Sequence, residues 1–141
     1  MTTATIGTMK GTVEIYTATD VLIRTYNFET SEVNRYQTSG LEASGFMVSE
    51  GASISFGFVD RDQPSGHFPL PSLELTSLMF HPEFGHANAA VSGEVVLQNH
   101  APRQIINGRL CFTTEYRNSR FYKVDVIFDI HGIDSEEAPQ A

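Results

Sequence analysis

Between Phe121 and His131 the side chains sort into two interleaved sets. Tyr122, Val124, Val126, Phe128 and Ile130 form one, and Lys123, Asp125, Ile127, Asp129 and His131 the other. A period of two over so long a run describes a pleated strand with one face buried, because successive side chains point to opposite sides of a sheet. Wound as a helix, the same residues would spread apolar groups around the whole circumference. The segment therefore needs neighbouring strands with a matching apolar face, and the rest of the chain supplies them.

Immediately upstream, Leu110, Phe112 and Tyr116 make an apolar row and Arg109, Thr113 and Glu115 a polar one, with Cys111 on the polar side. The polar tetrad Arg117-Asn118-Ser119-Arg120 joins the two runs as a hairpin loop. Asn107-Gly108 is the strongest short turn signal, since both residues tolerate positive φ, and it predicts either a hairpin or a bulge. Val13 and Ile15, the alternating set Ile54, Phe56 and Phe58, and the β-rich runs 21–28, 41–49, 73–80 and 89–98 follow the same grammar. A single short helix or turn is expected within Glu29–Tyr36, and the proline-rich stretch Asp60–Pro71 is expected to be a loop. The fold class is all-β: a single domain of about eight antiparallel strands, as a small β-barrel or alternatively a two-sheet β-sandwich. The barrel is preferred because closure removes exposed edges from a chain with few charged residues to guard them. The domain is expected to span 1–132, with 133–141 an acidic disordered tail.

At 141 residues and 15.6 kDa the chain is one domain's worth of protein. A chain of this size buries roughly 70% of its unfolded surface, enough for a core without covalent staples. Seventeen acidic against nine basic residues give a formal charge of −8, which disfavours nucleic acid as a partner. The one cysteine, Cys111, excludes a disulfide framework. No apolar stretch approaches the ~20 residues of a spanning helix. The N-terminal residues lack a basic segment followed by an apolar run, so a cytoplasmic protein is expected.

Three groups of residues are candidates for chemistry. His67, His81, Glu83 and His86 offer imidazole and carboxylate donors for a divalent metal, although Pro82 and Gly85 suit a solvated turn as well. Five of the nine basic residues fall within 21 positions, as Arg103, Arg109, Arg117, Arg120 and Lys123. Among these, Arg109 and Arg117, with Tyr122 to stack beside them, are candidates to bind a small anion or an acidic partner. The interleaved acids Glu115, Asp125 and Asp129 make cross-strand surface pairing the competing reading. Finally, Tyr116, Asp125, Asp129 and His131 would form a catalytic acid–base set if their face lined a lumen, and a solvent face if the Val124–Ile130 row points inward.

The stretch Leu73–Gly132 resembles a bacterial family of short all-β proteins known as domain of unknown function 1842. The matching features are the strand ending near Phe80, the Val91-Ser92-Gly93 turn into a strand, a polar loop with Asn99 and Pro102, and the final aromatic and β-branched hairpin. The resemblance implies a small bacterial β-barrel or sandwich and transfers no site residue.

With no nucleophile motif, no phosphate loop and no cofactor signature, the expectation is a non-enzymatic binding or interaction module without a cofactor. It would take an apolar small molecule or a protein partner, and would be a homo-oligomer. The alternatives are a small-barrel isomerase or cyclase that works by enclosing an apolar substrate, and a histidine metal-binding protein.

Overall fold

A computed structural model describes residues 5–82 and 87–134. Ten strand segments form one antiparallel sheet: β1 (Ile6–Thr17), β2 (Leu22–Thr30), β3 (Val33–Gln37), β4 (Leu41–Met47), β5 (Ala52–Phe58), β6 (Gly66–Pro69), β7 (Leu75–His81), β8 (Asn88–His100), β9 (Ile105–Thr114) and β10 (Arg120–His131). The hydrogen-bonded order is β2-β1-β10-β9-β8-β7-β5-β4-β3, with β6 beside β8. The two ends of that path, β2 and β3, are separated by only Ser31 and Glu32, so the sheet curls back on itself into a nearly closed barrel. The sandwich alternative is thereby set aside.

Two of the ten segments are continuations of others. β2 pairs with β1 and β3 pairs with β4, so one bent strand leaves the first neighbour and joins the second. This is where a short helix or turn was expected. Instead Glu32 breaks the ladder, and its carbonyl accepts the Phe46 amide at 3.0 Å, with the Thr30 hydroxyl donating to the Phe46 carbonyl. β6 and β7 likewise run in one direction, β6 against Glu94–Leu97 and β7 against Asn88 and Ala89 of β8. The expected 60–71 loop therefore contains a strand. Counted as staves, the barrel is an eight-membered meander in which every stave lies beside its neighbour in sequence.

The inward rows follow the period of two. On β10, Tyr122, Val124, Val126, Phe128 and Ile130 are buried, and Lys123, Ile127 and Asp129 face out. They meet Met9, Val13, Phe28, Ile54, Phe56, Leu97 and Leu110 in a single apolar core. Phe56 sits at its centre, with ring centroids 4.9 Å from Phe128 and 6.0 Å from Phe58, and Phe58 contacts Phe68 at 5.0 Å.

The Asn107-Gly108 signal marks neither a turn nor a register shift: both residues sit inside β9, paired with Asp129 and Phe128 on one side and with Gln98 and Leu97 on the other. Gly108 is there because the Val96 carbonyl oxygen lies 1.8 Å from where a Cβ would stand, at a φ of +156°. The Arg117–Arg120 hairpin is as expected, with Asn118 and Ser119 at φ of 54° and 65°, the left-handed pair a tight turn demands.

The base of the barrel is closed by polar groups that the sequence did not bring forward. Arg35, on the inward row of β3, is 2% exposed and donates from Nη2 to Gln37 Oε1 at 2.9 Å. Gln37 in turn donates to Asp62 Oδ1 at 3.0 Å. Asp134 accepts the Arg35 amide at 2.9 Å and the Thr5 hydroxyl at 2.7 Å, so the folded unit extends past residue 132. Residues 135–141 lie outside the described part.

Two substitutions test this arrangement by denaturant unfolding. Phe56→Ala is expected to cost about 3–5 kcal/mol, as a large cavity at the centre of the core. Gly108→Ala is expected to cost more than about 1 kcal/mol, through the collision with Val96 and the unfavourable φ.

Candidate functional site

The turns at one end of the barrel, after β1, β4, β7 and β9, surround a cleft of about 490 Å³. Its floor is apolar: Phe80 of β7 and Tyr122 of β10 meet with ring centroids 4.9 Å apart, flanked by Ile15 of β1 and Tyr26 of β2. Below this floor the lumen is filled by the core, so the opening is a cup and not a channel. Its rim carries Arg24, Glu50, Arg117, Asn118 and Arg120, with Pro82 and Asn88 on the β7–β8 side.

Strand parity explains why these side chains converge. Arg120 heads the same inward row as Tyr122, Val124 and Val126, and Arg24 heads the row of Tyr26 and Phe28. The register of β1 and β2 shifts where Ile15 pairs with Arg24 and Tyr16 with Leu22, leaving Ile23 as an extra residue that also lines the cleft. A bulge at a barrel rim re-aims side chains in this way. Arg24 crosses to the β4–β5 turn, donating from Nη1 and Nη2 to the two Glu50 carboxylate oxygens at 3.1 and 2.7 Å, and its guanidinium lies 4.8 Å from the Tyr26 ring centre. Burial holds the Tyr26 phenol far above its ordinary pKa, with the Glu50 charge adding to the effect and Arg24 opposing it. It therefore stays protonated, as a neutral donor.

Arg117 and Arg120 are different. Arg117 reaches only the Ala87 carbonyl, at 3.5 Å, and neither guanidinium has a carboxylate partner among the described residues. Asn88 is 2% exposed and lines the cleft, and its side-chain amide makes no hydrogen bond among the described residues.

Of the basic and aromatic residues singled out in the sequence, Arg117, Arg120 and Tyr122 are in this cleft. Arg109 is not: its row faces outward, where it grips Asp125 through Nε at 2.8 Å and Nη2 at 2.7 Å. That grip holds the Asp125 carboxyl below its usual range, and burial together with Asp125 pushes the neighbouring Cys111 thiol up. The catalytic set does not assemble. Tyr116 lies beyond the end of β9 and is 54% exposed. Asp129 pairs with His131 at 3.1 Å on the outer face, four residues and about 13 Å along the strand from Asp125.

The histidines are also apart. His67 bonds Glu94 opposite Val96, whereas His81 ends β7 at the level of Asn88, eight residues along β8 and about 26 Å away. Among the described residues the His81 Nδ1 is buried without a partner, and no group of three metal-ligating side chains occurs. Glu83 and His86 lie outside them.

Sequence reading missed Arg24, Ile23, Tyr26, Glu50, Phe80 and Asn88. Parity placed Arg120 on the Tyr122 row, a signal that was available. The Arg24–Glu50 contact joins residues 26 apart and left no local pattern.

No protein-family model, curated protein or solved structure matches the chain. No helix among the described residues is long and apolar enough to cross a membrane.

The Arg109–Asp125 pair gives a test of the outward assignment. Both side chains are about half exposed and the pair is screened by solvent, so Arg109→Ala is expected to lower the melting temperature at pH 7 only slightly. Because the folded pKa of Asp125 is depressed, the pair contributes above the unfolded carboxyl value near ~4 and loses that contribution as pH falls through the folded value. Melting curves of the two proteins should therefore converge on acidification from pH 5 downward.

Proposed function

We propose that this protein is a non-enzymatic binding module that seats the apolar body of a small molecule in the mouth of its barrel. One observation carries the reading: the lumen is packed solid from its middle to its base, yet about 490 Å³ is left open over an aromatic floor at the other end. That volume is within the range of small-molecule sites, about 300–1,000 Å³, and the combination of apolar walls with a few convergent polar groups is their usual chemistry.

The groups in the cleft suit binding better than proton transfer. A general acid or base works best when its pKa lies near the working pH. No histidine or cysteine among the described residues lines the cleft, the one described carboxylate there, Glu50, is committed to Arg24, and Tyr26 is held protonated. Enclosure catalysis is the second reading, favoured by that same phenol, which would donate to a developing oxyanion on a bound substrate.

The neutral, polarity-sensitive dye Nile red tests the primary reading. Its fluorescence is expected to rise saturably with one dye per chain, and Ile23→Trp, which fills the cleft from an exposed position, should weaken binding about tenfold without lowering the melting temperature. Dye binding that does not saturate, or that ignores Ile23→Trp, would overturn the assignment.

A further inference from the structure

The charge around the mouth runs against that of the whole chain. The protein carries −8, yet three of its nine basic side chains, Arg24, Arg117 and Arg120, line this one cleft against a single carboxylate among the described residues, Glu50. Glu50 neutralises Arg24 through both oxygens, which leaves two guanidinium groups in excess. Among the described residues, the other acids near this end are engaged or turned away: Glu115 accepts the Ala89 amide at 3.1 Å, Glu14 accepts the Tyr16 hydroxyl at 2.8 Å, and neither they nor Asp20 line the cleft. Arg117 and Arg120 are held close together because their backbones pair across the β9–β10 turn, with N–O distances of 2.8 and 3.0 Å.

We infer that the cleft takes a small amphiphilic anion, an oxyanion head on an apolar tail. The inference rests on the binding role of the mouth and names its ligand class. The head sits between Arg117 and Arg120, whose planar forks suit carboxylate and related oxyanions. The tail lies along Ile15 and Ile23 toward the Phe80–Tyr122 floor. Asn88 supports the same polarity. It is a buried amide facing the cleft with its hydrogen-bonding capacity unused among the described residues, and so offers a donor and an acceptor below the head. The source is a free, monomeric anion and not an anionic membrane surface. A surface would bring many negative charges against a protein of charge −8, whereas one head meets only the two arginines.

Calorimetric titration of the full chain with octanoate, 1-octanol and octyltrimethylammonium decides the matter. Octanoate is expected to bind with a stoichiometry of one, about tenfold tighter than octanol, and the ammonium analogue not at all. The octanoate affinity should fall as salt is raised. The double variant Arg117→Gln, Arg120→Gln should lose the preference for octanoate and keep the octanol affinity. Because both side chains are exposed, its melting temperature should be unchanged. Equal binding of octanoate and octanol would overturn the anion assignment and leave the binding role standing. Failure of all three ligands, with Nile red also failing, would overturn both. Binding to phosphatidylglycerol vesicles without binding to octanoate would overturn the free-anion source in favour of a lipid surface.

Discussion

The sheet has nowhere to end except in itself, and everything else in the molecule is arranged around that closure. A strand edge presents unpaired amides and carbonyls, and with 18% charged residues the chain has few side chains to guard one. The solution is the two-residue joint at Ser31-Glu32, where a single strand stops pairing with β1 and begins pairing with β4. Short stitches hold the seam there: Phe46 to Glu32 through the backbone, and Thr30 to Phe46 through a hydroxyl. Toward the mouth the same seam has no backbone ladder and is bridged by the Arg24–Glu50 pair.

Closure also decides where a ligand fits. An eight-staved barrel has an interior about wide enough for its own side chains, and here Phe56, Phe58, Phe68 and Phe128 fill it. At the base the buried Arg35, Gln37 and Asp62 add a polar stopper. At the mouth the inward rows of β2 and β10 also run out of apolar residues and end in Arg24 and Arg120, but there the arginines are exposed and line open space. The boundary between core and cleft is therefore the level of Phe80 and Tyr122, whose rings belong to both.

The strand content was legible wherever one face alone is buried. On β10 the alternation set the inner row, and with it the outward position of Asp125, Asp129 and Lys123. The same parity read on β9 puts Arg109 outside; Arg117 shares that parity and reaches the cleft only because it lies past the strand's end, in the β9–β10 turn. What could not be read has two physical causes. Some signals were local but overridden: Asn107-Gly108 has the chemistry of a turn, yet the glycine answers to the approach of Val96 from another strand. Others had no local trace at all. The Arg24–Glu50 bridge, the Arg35–Gln37–Asp62 stopper and the Thr5–Asp134 contact depend on which turns and ends the barrel gathers together.

That last contact changes what kind of topological object the chain is. Thr5 and Asp134 meet at the base, and β1 is zipped to β10 along twelve residue pairs, so the polypeptide is in effect a ring that happens to be cut at one place. The cut makes β1–β10 pairing the longest-range step in assembly, and loops of that size are the slow ones to close. Moving the cut to an exposed turn, with a short tether across residues 134 and 5, would turn that distant pairing into an ordinary hairpin and hand the role of final seam to another pair of staves. The order in which the wall is built is thus set by where the ring is opened, and is separable from the shape the wall finally takes.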